Sequence, residues 1–225
     1  MNKTLKSILV GSIAVFGLSL NALANSQILL PGTSTIGNFD SVPPNVWGTG
    51  TVLASTTNSY ASTTLAGTIY SWVESGVASN PFGGLTFFYT IENSGFPGSA
   101  GVEKITVDGF TGFSVAVAQD NYYAGYSVAP NSYGSGTAAS TASLTPDGNV
   151  VGFNYVFMPV GSASWDLIVY TDAISYKLVN SGVIDGTTAN NMVLGANVPD
   201  GGTTALMFGL GLLGLGLAAR RNKRA

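Results

Sequence analysis

Between residues 85 and 92 the side chains alternate in kind. Leu85, Phe87, Tyr89 and Ile91 interleave with Thr86, Phe88, Thr90 and Glu92. A repeat of two is the period of a β-strand, whose successive side chains point to opposite faces; on an α-helix it would scatter the apolar groups around the axis. The same period recurs at Ile69, Ser71 and Val73, at Phe113, Val115 and Val117, at Phe153, Tyr155 and Phe157, and at Trp165, Leu167 and Val169, with a further short run from Ile105 to Val107. Thr, Val, Tyr and Phe dominate these runs, as pleated, half-buried surfaces prefer. Between them stand Asn80-Pro81-Phe82-Gly83-Gly84, Phe96-Pro97-Gly98, Thr145-Pro146-Asp147-Gly148 and Met158-Pro159-Val160-Gly161. In such turns Pro presets φ and Gly supplies φ > 0. No stretch between residues 25 and 197 has a period of 3.6. The expectation is an all-β ectodomain of about eight to ten strands, an antiparallel, jelly-roll-like β-sandwich.

The composition narrows the chemistry such a domain can perform. The 225 residues include no Cys and no His. That excludes disulfides, thiolate nucleophiles, lipid-modified cysteine, the Ser-His-Asp and Cys-His mechanisms and the usual zinc sites. Between residues 25 and 197 the only basic side chains are Lys104 and Lys177, against ten acids, a balance of −8. Such a surface repels phosphate backbones, so nucleic acid is not an expected partner. No cofactor is expected, and no enzymatic activity.

The remaining basic residues lie at the two ends. Lys3 and Lys6 precede a 13-residue apolar run, residues 8–20, and Ala22 and Ala24 supply the small residues of a signal-peptidase site. The run is short for a bilayer span. The expectation is a signal helix over 1–24, handled by the secretion machinery and removed to leave a chain starting at Asn25. At the other end, residues 203–219 carry no charge. As a helix they would cover about 25 Å, just enough to cross the hydrocarbon core. Gly209, Gly211, Gly214 and Gly216 would each cost such a helix about 1 kcal/mol in water, and less in lipid, where an unpaired backbone has no water to turn to. Arg220, Arg221, Lys223 and Arg224 follow. By the positive-inside tendency they stay cytoplasmic, which leaves the acidic middle outside the inner membrane.

Ahead of the apolar run stand Val198, Pro199, Asp200, Gly201 and Gly202. This motif, the apolar stretch and the Arg-rich tail together resemble the PEP-CTERM sorting signals of exopolysaccharide-producing Gram-negative bacteria. Val-Pro-Asp-Gly-Gly is similar to the VPDSG-CTERM variant, with Gly201 where the variant's name has Ser. The resemblance implies recognition by an exosortase, an integral-membrane transpeptidase-like enzyme. It also implies export to the cell surface or the extracellular matrix. Pro and two Gly beside a span keep the peptide out of helix, as an enzyme acting at a fixed height above the bilayer requires.

The expected plan is therefore a signal over 1–24, the sandwich over 25–180, a final strand or linker over 181–197, and a sorting signal over 198–225. That signal divides into the motif at 198–202, a transmembrane helix over 203–219 and a basic tail at 220–225. Within the domain, Glu74, Glu92 and Glu103 are the candidates for a glycosidase pair, which needs two carboxyl groups about 5–10 Å apart. Asp120-Asn121 and Asp185-Gly186 offer loop oxygens without a calcium-loop pattern. Tyr122, Tyr123 and Tyr126 could stack on sugar rings, which makes a carbohydrate-binding module for exopolysaccharide the alternative function.

Overall fold

The computed structural model describes residues 26–35, 50–95, 101–120 and 136–197. Every regular element among them is a strand: β1 (Gln27–Leu29), β2 (Thr51–Ala61), β3 (Ala66–Ser75), β4 (Thr86–Asn93), β5 (Val102–Val107), β6 (Val115–Asp120), β7 (Thr141–Leu144), β8 (Val151–Met158), β9 (Ser162–Ala163), β10 (Asp166–Thr171), β11 (Tyr176–Ile184) and β12 (Thr188–Ala196). They form two antiparallel sheets. One runs β1-β6-β10-β4-β3-β2, with β9 added beside β4; the other runs β12-β11-β5-β8-β7. The two helices expected from the sequence, over 1–24 and 203–219, lie outside the described residues. No helix among the described residues is long and apolar enough to cross a membrane.

The alternating runs do what their period dictates. Ile69 and Val73 of β3, Phe87, Tyr89 and Ile91 of β4, and Leu167 and Val169 of β10 join Ile105 of β5, Phe153 of β8 and Val183 of β11 in one apolar core between the sheets. Each fully buried side chain of this kind contributes about 1.5–3 kcal/mol. Phe87 and Phe110 meet edge to face with ring centroids 6.0 Å apart, the arrangement that ring quadrupoles favour.

The outer face of the larger sheet departs from simple alternation. Trp72, Phe88, Ala116, Ala118, Ile168 and Tyr170 form a second buried apolar cluster there. Trp72 and Phe88 oppose each other on β3 and β4, and their rings stack at 5.0 Å with planes 2° apart. β4 is therefore buried on both sides, which is why Phe88 occupies a position that a half-solvated strand would leave polar. The β3–β4 connection, residues 76–85, supplies part of the cover. Val77 and Phe82 pack in the cluster, and the hydroxyls of Ser79 and Tyr170 are hydrogen-bonded at 3.0 Å. Asn80 organises this connection. Its amide nitrogen lies 3.0–3.2 Å from the Gly84, Leu85 and Thr171 carbonyls and the Thr86 hydroxyl, and its Oδ1 accepts from the Phe82 amide. Gly84 admits the close approach: a Cβ there would stand 2.6 Å from the Thr171 and Ala173 oxygens.

Both open flanks of the sandwich are closed. On one side residues 26–35 belong to both sheets. β1 pairs with β6, the chain turns at Pro31-Gly32, and Thr33 and Thr35 then bond to Leu144 and Ala142 of β7. On the other side β12 is tied to β2 and β3 by side chains. Asn191 donates to the Asn58 and Ser59 carbonyls, Asn58 donates to the Met192 carbonyl, and the Leu194 amide donates to Ser71 Oγ. Such covering shields strand edges that otherwise template aggregation. The interval 181–197 holds the end of β11 and all of β12, hydrogen-bonded along its length.

Candidate functional site

The strand directions give the domain two ends. β2, β4, β6, β8 and β11 begin at one of them; β3, β5, β10 and β12 finish there. Asn197, the residue after β12, is held at this end. Its amide donates to the Ser175 carbonyl at 3.0 Å, and Ser175 Oγ donates to the Asn197 carbonyl at 2.9 Å. Described structure thus continues to Asn197, which is held against the β10–β11 connection.

Exposed apolar groups stand at this end of the domain. Ile174 is 82% exposed, Leu30 63% and Leu53 43%, and Tyr176 is partly open with its hydroxyl donating to the Leu53 carbonyl. Lys177 follows Tyr176 and, with Asp108, Asn149, Asn180 and Met192, lines a shallow groove of about 300 Å³ beside them.

The acids singled out from the sequence are not assembled into a catalytic pair. On β3 and β4, Glu74 opposes Thr86 and Glu92 opposes Thr68, so the two glutamates sit six positions apart along the sheet. At about 3.3 Å per residue that is roughly 20 Å, beyond either glycosidase geometry. Glu103 belongs to the other sheet. Glu74 is buried, which raises its carboxyl pKa, and the indole of Trp72, donating at 3.2 Å, works in the opposite direction. Glu92 accepts from the Tyr70 hydroxyl at 3.1 Å. Asp185 lies in the β11–β12 turn and accepts from Thr64 and Thr187. Among the described residues no three His, Cys, Asp or Glu side chains converge as a metal set.

One pairing of acids went unnoticed in the sequence. Asp166, the first residue of β10, directly opposes Asp120, the last residue of β6, and both are buried on the outer face of the larger sheet. Burial pushes Asp166 up to about 7; the Thr90 hydroxyl, donating to it at 2.5 Å, lowers it, and the neighbouring Asp120 raises it. The two are 46 residues apart, and only the antiparallel register joins them. A sequence scan has no signal for that.

The sugar-stacking candidates Tyr122, Tyr123 and Tyr126 lie outside the described residues. So do the cleavage-site residues Ala22 and Ala24, the motif Val198 to Gly202, and the basic tail Arg220, Arg221, Lys223 and Arg224. Their assignment rests on sequence. There, comparison with known families gives one match: residues 197–222 carry a VPDSG-CTERM motif, a variant of the PEP-CTERM type of sorting signal. The match begins at Asn197, the last described residue of the sandwich. No curated protein and no solved structure shows significant similarity to the chain.

Proposed function

We propose that this chain is an exported, membrane-anchored protein with a structural role at the cell surface or in the extracellular matrix, sorted by an exosortase acting at its C-terminal signal. The observation that carries the reading is the VPDSG-CTERM match at residues 197–222, which takes in the motif, the uncharged stretch 203–219 and the start of the basic cluster at Arg220 and Arg221. The reading joins three steps. The signal over 1–24 brings the chain to the secretion machinery and is removed. The apolar stretch then stops in the inner membrane with the basic tail inside, because Arg and Lys are costly to move across and the orientation follows their bias. Residues 198–202, extended by Pro199 and the two glycines, are left at the outer surface for the exosortase. No catalytic step is assigned to the domain; its contribution is a closed, weakly charged sandwich that survives outside the cell without disulfides.

Deleting residues 203–225 tests the anchor. The truncated chain is expected in the periplasm or the medium, while the full chain, in cells lacking the exosortase, fractionates with membranes. Retention of the truncated chain in the membrane fraction would overturn the proposal.

A further inference from the structure

We infer that the end of the sandwich bearing Leu30, Leu53, Ile174 and Tyr176 is a lipid-docking surface, which lies on the outer leaflet of the membrane in which the chain's own residues 203–219 sit. The inference rests on the anchored reading and adds an orientation to it. Its first ground is covalent. Asn197 is hydrogen-bonded to Ser175 on both its amide and its carbonyl. From there to Thr203, where the uncharged stretch begins, are six residue steps, at most about 20 Å of extended chain. Part of that length is taken up by the headgroup layer, roughly 5–7 Å on each side of a bilayer. The exit end of the domain is therefore held within about 15 Å of the lipid surface. The opposite end, a nine-residue β11 away, is about 30 Å further out.

The second ground is what the exit end presents. Ile174 projects from the very loop that binds Asn197 and is 82% exposed. Leu53 is linked to the same loop by the Tyr176 hydroxyl. Leu30 follows Leu29, which pairs with Val115, which in turn pairs with Thr171. All four therefore belong to the end of the sandwich at which Asn197 lies, with Leu53 on the β12 flank and Leu30 on the opposite one. A Tyr with aliphatic neighbours and an adjacent Lys177 is the composition that settles at a membrane interface, where the ring and alkyl groups enter the headgroup boundary and the ammonium meets phosphate. The Asp172 and Asp147 carboxylates at this end are hydrogen-bonded within the protein and exposed, which confines lipid contact to the apolar side chains at the headgroup boundary. Asp172 is occupied by the amide and hydroxyl of Ser114, and Asp147 by the Thr145 hydroxyl and the Asn149 amide. Asp108, beside Lys177 in the groove, makes apolar rather than charge-driven docking the expectation. A second apolar patch, Val156, Phe157 and Val160, is equally exposed but lies at the far end, and so serves as the control.

The chain's lack of cysteine makes the test direct. Full-length Ile174→Cys, Leu53→Cys and Val156→Cys variants are labelled with an environment-sensitive fluorophore and reconstituted into phosphatidylcholine vesicles with and without brominated acyl chains. The expected result is co-flotation with vesicles and roughly twofold or greater quenching by bromolipid at 174 and 53, with none at 156. Co-flotation with equal, negligible quenching at all three positions would overturn the docking surface and leave the anchor standing. Failure to float would overturn the anchor and the docking with it. A blue shift at 174 and 53 that grows with protein density and is indifferent to bromolipid would mean that a second copy covers the patch, and would overturn the lipid assignment.

Discussion

Asp166 is a carboxyl group on a face of the sheet where water does not reach it, with Asp120 across the strand pair. Its folded pKa, about 7, lies above the value of about 3.9 for an unfolded Asp, so the folded state holds the proton more tightly. Stability contributed by this proton is complete below the unfolded pKa and is lost as pH rises toward 7, at up to about 1.4 kcal/mol per pH unit. Asp166→Asn, which still accepts from Thr90, should flatten the fall in melting temperature between about pH 4 and pH 7 and raise stability above pH 7. Thermal melts across that range check it; an unchanged pH profile would contradict the assignment. Glycine 67 makes a second residue-scale case. A Cβ there would stand 1.9 Å from the Glu92 carbonyl oxygen and 2.5 Å from the Tyr60 hydroxyl, which donates to that carbonyl. Gly67→Ala must break this bond or move β4, and should destabilise by about 2 kcal/mol or more in a denaturant titration. Neither residue declared its role in the sequence. An Asp before an alternating run and a Gly before Thr-Ile-Tyr gain their meaning from partners on other strands.

At the scale of elements, legibility followed hydrophobic contrast. β3, β4, β6, β8 and β10 were visible because large apolar residues alternate in them. β2, the longest strand, was not: Thr51–Ala61 reads TVLASTTNSYA, with small and polar residues on both faces. Its place is set by pairing with β3 along nearly its whole length, a tertiary effect that overrides weak local pattern. β1 and β9 have three and two residues, too few to show a period. Yet β1 carries weight, since residues 26–35 join the two sheets. Leu29→Ala, at a position 3% exposed, should cost about 2–4 kcal/mol. On the opposite flank, Asn191→Ala removes both bonds to β2 and should cost about 1–3 kcal/mol. If the two flanks close independently, the double variant should lose the sum of the two, since distant sites add. A near-neutral Leu29→Ala would mean that the segment merely lies on the surface.

At the scale of the molecule, the sandwich and the sorting signal meet without a spacer. β12 ends at Ala196, Asn197 is pinned to Ser175, and the VPDSG-CTERM match starts at Asn197. The all-β class was readable from period and turns, and the sorting signal from a local arrangement of motif, apolar stretch and basic tail that needs no tertiary partner. What the sequence left open was how the two join: the interval 181–197, rich in Asn, Gly and Thr, looks equally like strand or linker until its pairing with β11 is seen. The central claim is that both ends of the chain are addresses, removed or processed outside the fold. Intact mass spectrometry of the exported protein from cells with an active exosortase tests it most directly. The account predicts a product that begins at Asn25 and is severed within or beside residues 198–202; a mass that includes residues 203–225 unbroken would contradict it.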